Sequence, residues 1–230
     1  MTETPSEELR PLTILAVNAG ISDPSSTKML AERSAAATIK HLQTLGREGR
    51  VESVDLAPLA SQIMDSLLSA GPLPKVQKLM ERMATADALI MATPVYKAGP
   101  SGLFKAFVDT LENDLIVAKP LILAATAGTA RHAMVVDEQM RPLFAFMRAF
   151  PVPTSLFATA EDWADPAFGG RIRRAGVELA ELTASGIERR ISGASWGSYN
   201  REFGSTAAAT QGGAPLDFDT DLMRLAAGGN

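Results

Sequence analysis

Ala88-Leu89-Ile90-Met91-Ala92-Thr93-Pro94-Val95-Tyr96-Lys97-Ala98-Gly99-Pro100-Ser101-Gly102-Leu103-Phe104-Lys105 sets the architecture of the whole chain. Its first four residues form an unbroken apolar run, the pattern of a parallel strand buried on both faces. Pro and Gly residues then interrupt the chain, and a helical pattern begins at Leu103 and continues to Leu115. A strand that empties through such a loop into a helix opens a crevice at the carboxyl edge of a sheet, where open α/β folds bind their ligands. Pro94 removes one N–H donor and fixes the chain's exit from the strand. Gly99, Ser101 and Gly102 leave room for a flat ligand to approach the backbone.

The same alternation extends in both directions. Apolar runs at 12–17, 51–56, 120–125 and 152–158 read as four more strands. Helical patterns at 26–45, 58–70, 75–86, 102–116, 131–149 and 171–191 lie between and after them, with Ser26 or Thr27 as the cap of the first and Gly46 near its end. Strands alternating with helices predict an α/β fold, a doubly wound parallel sheet of five strands in three layers. The domain spans 11–191. Residues 1–10 read as a flexible leader. Residues 192–230, rich in Gly and Ala with Trp196, Tyr199, Phe203 and Phe218 scattered among them, read as a C-terminal tail or arm, mobile or docked on another subunit.

Composition narrows the chemistry. A net charge of −4 gives no footprint for nucleic acid. The absence of cysteine excludes disulfides, thiol nucleophiles and cysteine-ligated metals, and fits a cytoplasmic location. Two histidines are too few for a zinc hydrolase site. No apolar run approaches the roughly 18 residues of a membrane span, and Met1 to Arg10 has no apolar core of a secretory signal. No nucleophile is accompanied by a base, so no side chain is assigned as catalytic and none as a metal ligand. The chemistry is expected to belong to a bound cofactor.

Three loops converge on the crevice edge. The first, Asn18 to Thr27, joins a strand to a helix whose N-terminus favours an anion, and Ser22, Ser25, Ser26 and Thr27 add hydroxyl donors. It lacks the glycine spacing of a dinucleotide turn and the lysine of a triphosphate loop, which points to a monophosphate. The second is the Pro94-Val95-Tyr96-Lys97 stretch. The third, Ala125 to His132, offers backbone and hydroxyl groups of Thr126, Gly128 and Thr129 to a planar heterocycle.

Taken together, and most strongly in Thr93 to Ala98 with Ser101 to Lys105 following, these loops resemble the NAD(P)H-dependent FMN reductase family, which has a flavodoxin-like fold. Thr129 to His132, with Arg141-Pro142-Leu143-Phe144 after it, is similar to the branch that serves two-component flavin monooxygenases. The resemblance implies FMN and NAD(P)H as the small-molecule partners and hydride transfer from the nicotinamide to flavin N5. Ser22, Ser26 and Thr27 would hold the phosphate. Pro94, Val95, Tyr96 and Lys97 would line the isoalloxazine, and Thr126, Ala127, Gly128 and Thr129 would approach its polar edge. A partner monooxygenase and a homodimer or homotetramer are implied as well. The chain departs from the family at Ala127, where relatives often carry Gly, and at Gly99-Pro100, where the sulfonate-utilisation branch often has an aromatic residue or His. A quinone, azo or metal-ion reductase with tightly held FMN, and a flavodoxin-type electron carrier, are the alternatives. The reader of an NADPH 2′-phosphate is left open between Arg33, Lys97, Arg131 and a second subunit.

Overall fold

Leu12–Asn18 (β1) is buried at every position, and so is Pro120–Thr126 (β5). Both lie inside a sheet with helices on its two faces, which is why they read as apolar runs without alternation. The computed structural model describes residues 10–69 and 71–195. Around β1 and β5 run β2 (Gly49–Asp55), β3 (Ala88–Tyr96), β4 (Gly99–Pro100), β6 (Phe150–Pro151) and β7 (Leu156–Ala158). The order is β2-β1-β3-β5, with β6 and β7 sharing the far side of β5. Only β4 is antiparallel; it folds back on the end of β3. This is the flavodoxin-like 2-1-3-4-5 order, whose switch point lies between β1 and β3.

Alternate side chains of each strand feed two cores. Leu12, Ile14, Ala16, Ile90 and Ile122 meet α1 (Ser26–Thr44) and α6 (Pro166–Ala184). Leu15, Val17, Leu89, Met91 and Leu123 meet α2 (Ala60–Leu68), α3 (Pro74–Thr85), α4 (Gly102–Thr110) and α5 (Arg141–Phe146). On the first face α1 and α6 pack so closely that a Cβ on Gly176 would lie 2.7 Å from Ala37 Cβ and 2.9 Å from the Thr38 backbone N. Backbone cannot rotate aside as a side chain can. Gly176→Ala is therefore expected to cost about 1–3 kcal/mol, read as a lower urea midpoint; an unchanged midpoint would mean the helices separate freely.

Several boundaries differ from the sequence reading, each for a local reason. β3 runs on through Pro94 to Tyr96, where the sequence suggested a loop after Ala92. The Pro94 carbonyl accepts from Ser101 N at 3.0 Å, and Val95 and Tyr96 pair with Pro100 and Gly99. The cap of α1 is Ser25, not Ser26 or Thr27; its side chain accepts from Lys28 N at 3.2 Å. Helix α4 stops at Thr110, because Leu111 is extended and Asn113-Asp114 favour a turn. The expected helix over 131–149 becomes a 3-10 turn at Ala130–His132, a π-helical turn at Val136–Met140 and then α5. Pro142 lacks an N–H, and its ring would press on the Glu138 carbonyl in a regular helix. The wide turn relieves that, with Arg141 N reaching Val136 O five residues back.

The fifth strand, read as 152–158, is split into β6 and β7. Pro151 and Pro153 cannot donate to a ladder, and the Arg141 guanidinium takes the Val152 carbonyl at 3.1 Å. The last helix is α6 followed by α7 (Ile187–Ser195), broken at Gly186 with φ +64°. Helical structure thus continues four residues into the segment read as tail. The leader and tail readings otherwise concern residues outside those described. Among the described residues, no helix is long and apolar enough to cross a membrane.

Candidate functional site

A cleft of about 570 Å³ opens at the carboxyl edge of the sheet, over the switch point. Parallel strands bring four loops to this edge. The sequence reading identifies three of them.

The first wall is the β1–α1 loop, which contributes Gly20, Ile21, Ser22, Pro24, Ser25, Ser26 and Thr27. Its geometry begins at Asn18, whose Oδ1 accepts from Gly20 N at 2.9 Å and whose amide donates to Asp55 Oδ1 at 3.1 Å. This folds the chain back over the start of α1. A Cβ on Gly20 would overlap Ser25 Oγ, the helix cap, and would sit 3.2 Å from Thr27 Cβ. Only hydrogen fits there. The first intrahelical bond runs from Met29 N to Ser25 O, so Ser26 and Thr27 have no helical acceptor for their N–H groups. Those donors, the Ser22 and Ser26 hydroxyls and the positive end of a 19-residue helix make an anion seat.

The second wall is the end of β3, contributing Pro94, Val95 and Tyr96. Thr93 fastens it from below: its buried hydroxyl accepts from Ser101 N at 3.0 Å, while Ser101 caps α4. The third wall, after β5, contributes Thr126, Ala127 and Gly128. Thr126 Oγ1 lies 2.6 Å from Thr27 Oγ1, both buried, so this bond joins the first wall to the third. Thr27 thus uses part of its hydroxyl's bonding capacity on structure, and it can also offer a ligand its backbone N–H. Ala127 N donates to Ala158 O at 3.0 Å. A Cβ added at Gly128 would meet nothing within 4 Å, so the wall is open at that position.

The fourth wall was not anticipated. Ala158, Thr159, Ala160 and Trp163 line the cleft from the loop after β7, and Met29 lines it from α1. Asp162 holds that loop, accepting from Thr159 N at 2.6 Å and Thr159 Oγ1 at 2.8 Å. Trp163 packs edge-on against Phe168, with ring centroids 5.5 Å apart, and carries the Arg33 guanidinium over its face at 4.9 Å. A Thr-x-x-Asp turn after the last strand is a recognisable signal, but nothing local says that it faces the other three loops.

Ten of the twelve residues expected from sequence line the cleft. Lys97 and Thr129 do not: both are exposed beyond its lip.

The lining contains no charged side chain. The one cation in the first turn of α1, Lys28, is turned to Asp55, with Nζ 2.8 Å from Oδ2. That ammonium holds the Asp55 carboxyl below the usual carboxylate range, and the Asn18 amide adds to the effect. A depressed carboxyl stabilises the fold above its ordinary pKa, about 3.9, and loses that contribution as pH falls through the lower folded value. Asp55→Asn is expected to flatten the acid limb of the melting temperature. It is also expected to tighten anion binding several-fold, since a carboxylate beside the seat is removed and Lys28 is released. Equal FMN affinity in the two proteins would count against an anion seat here.

The residues fit FMN. A hydroxyl-rich helix N-terminus with a glycine that no Cβ could replace suits a terminal phosphate, and two neutral, largely apolar walls suit a flat tricyclic ring. The fold and this cleft define a flavodoxin-like reductase class. The chain belongs to the NADPH-dependent FMN reductase family, whose model matches residues 12–164. It is 35% identical over 178 residues to the NADH-dependent FMN reductase SfnE of Pseudomonas putida, covering 75% of this chain and 92% of that one. It is 32% identical to an NADPH-dependent FMN reductase of Pseudomonas aeruginosa, covering 76% and 91%. An oxidoreductase structure from Corynebacterium diphtheriae superposes with a TM-score of 0.73 at 38% identity, over 76% of this chain and 98% of that one. The protein is an NAD(P)H-dependent FMN reductase, an oxidoreductase with FMN as its flavin. The electron-carrier alternative is set aside by this membership.

Proposed function

We propose that FMN lies with its phosphate at Ser22, Ser25, Ser26 and Thr27 and its ring between Pro94-Val95-Tyr96 and Thr126-Ala127-Gly128. In this reading the flavin is a cycling substrate, reduced here and released to a separate flavin-dependent monooxygenase. The observation that carries it is the uncharged lining. A phosphate dianion met only by neutral donors, with Lys28 neutralised by Asp55, is held by hydrogen bonds without an ion pair. No ion pair ties the phosphate to the chain, which suits a flavin that arrives and leaves as a substrate, as the relatives' naming as FMN reductases supports.

When bound, flavin supplies the hydride-accepting position. The chain's part is to bind and orient. Backbone at Pro94 to Tyr96 and Ala127 to Gly128 sets the plane of the ring, and the Thr27–Thr126 bond fixes the spacing of the walls. Trp163 and Met29 shield the ring's surroundings from water. The lining carries no Asp, Glu, His, Lys or Arg side chain, in keeping with chemistry carried by flavin and nicotinamide.

The enzyme is further proposed to act as a homodimer or homotetramer in the cytoplasm. The apolar face of α4 gives no support for assembly, being buried within the subunit at Phe104, Phe107 and Val108. The support comes instead from Phe146, 71% exposed, with Met134 and Phe150 on neighbouring segments.

The deciding experiment is oxidation of NADH and NADPH by flavin-stripped protein, with and without added FMN. Activity that saturates with free FMN, together with reduced FMN appearing in a filtrate, is the expected result. Full turnover of a quinone or azo dye by protein that retains its flavin through dialysis would overturn the cycling reading and favour a prosthetic-flavin reductase.

A further inference from the structure

The nicotinamide dinucleotide brings phosphate charge of its own. If FMN fills the anion seat at the start of α1, as proposed above, the dinucleotide's phosphates require cations elsewhere around the mouth. Most cations near it are committed. Lys28 pairs with Asp55 and Arg33 lies over Trp163. Lys105 pairs with Asp109 at 2.6 Å, and Arg141 with Asp137 at 3.1 Å. Two are not. Lys97 and Arg131 are exposed and have no ion-pair or hydrogen-bond partner among the described residues.

Topology puts the loops that carry them next to each other. Pro94 of β3 and Thr126 of β5 are in register on adjacent parallel strands. Lys97 follows Pro94 by three residues and Arg131 follows Thr126 by five, so the pair stands on neighbouring loops at the lip of one cleft.

The backbone under Lys97 is unusual. Tyr96 pairs with Gly99, which leaves Lys97 and Ala98 as a two-residue turn, with φ +50° and +64°. Such turns are ordinarily made by Asn-Gly; a left-handed conformation at two successive L-residues is unfavourable. Gln139 holds the turn from the π-helical segment, its Nε2 donating to Ala98 O at 2.8 Å. The Gln139 Oε1 would sit 3.0 Å from a Cβ on Gly99. A strained, externally clamped turn thus fixes the stem of an unpaired lysine where the cleft opens. Strain of this kind is found at functional sites more than elsewhere.

We propose that Lys97 and Arg131 form the seat for the phosphate charge of the nicotinamide dinucleotide, and that FMN does not use them. The seat reads either the pyrophosphate or the 2′-phosphate of NADPH, which share the same chemistry toward cations.

The test compares Lys97→Gln, Arg131→Gln and the double variant with the parent. Three quantities are read: KM for NADPH and NADH at saturating FMN, FMN affinity by fluorescence, and calorimetric binding of ADP and of adenosine 2′,5′-bisphosphate. The double variant is expected to raise KM for NADPH about tenfold or more, leaving kcat and FMN affinity in place. Lys97→Arg should restore KM, since only charge is needed. The parent's KM should rise with salt more steeply than the double variant's. Loss confined to NADPH and the 2′,5′-bisphosphate identifies the 2′-phosphate; equal loss with NADH and ADP identifies the pyrophosphate; each supports the seat. Unchanged KM for both nucleotides overturns it. A fall in FMN affinity with unchanged nucleotide binding also overturns it and returns Lys97 to the flavin. Failure of FMN to bind the cleft floor would show separately, as insensitivity to substitution at Gly20.

Discussion

Gly20→Val is expected to weaken FMN binding by about 2–4 kcal/mol, from a lost helix cap and a lost charged hydrogen bond, or roughly 30- to 700-fold in affinity. The valine Cβ would take the place of Ser25 Oγ and press on Asn18 Oδ1, 3.1 Å away, and on Thr27 Cβ. Ser25 then cannot accept from Lys28 N, and the turn that aims the Ser26 and Thr27 N–H groups opens. The Thr27–Thr126 bond, which joins two walls, is strained by the same push. The fold should survive, because Gly20 itself belongs to neither core and lies at the sheet's edge, next to the buried Ala19. Fluorescence titration of FMN with a parallel thermal melt separates the two effects. Affinity within twofold of the parent would refute the phosphate assignment.

Lys119→Ala is expected to destabilise the protein by about 3–5 kcal/mol, the cost of breaking a buried charge pair. For a domain of this size that is a fall of roughly 6–20 °C in melting temperature. Lys119 is 1% exposed, just before β5, at the pole of the sheet opposite the cleft. Its three ammonium protons have three partners: Ala84 O at 3.0 Å, Ala86 O at 2.6 Å and Glu188 Oε1 at 2.8 Å. Alanine would leave two carbonyls unpaired and open a cavity. Burial pushes the Glu188 carboxyl up, against the pull of Lys119, and removing the ammonium would leave that burial unopposed by its main partner. Because Glu188 lies on α7, this bond also fastens the C-terminal helix to the sheet. Glu188→Gln, which keeps an acceptor, should cost less. A Lys119→Ala protein melting within about 3 °C of the parent would mean under roughly 1 kcal/mol, too little for a buried pair.

Much of the fold was legible because its signals are local. Apolar runs without alternation marked Leu12–Asn18, Ala88 onward and Pro120–Thr126 as buried parallel strands. Gly46 marked a helix end. The boundaries that moved are those where a distant group decides. Nothing within a few residues of Val152 says that Arg141 will take its carbonyl, and Pro142 signals a break but not a π-helical turn. The serine-rich loop was readable as part of the cleft, but not the division of labour within it. Ser25 is the cap, Thr27 is bound to Thr126 ninety-nine positions away, and Lys28 is drawn off by Asp55.

The sequence by itself determined the strand–helix alternation, hence the parallel sheet, hence the gathering of its loops at one edge with a helix N-terminus among them. Those features depend on residue type and short-range spacing. Only the tertiary structure decided that Ala158, Thr159, Ala160 and Trp163 complete the cleft, that its walls carry no charge, and that Lys97 stands outside it. These depend on pairings between residues far apart in the chain, whose energies appear only once the sheet has brought them within a few ångströms.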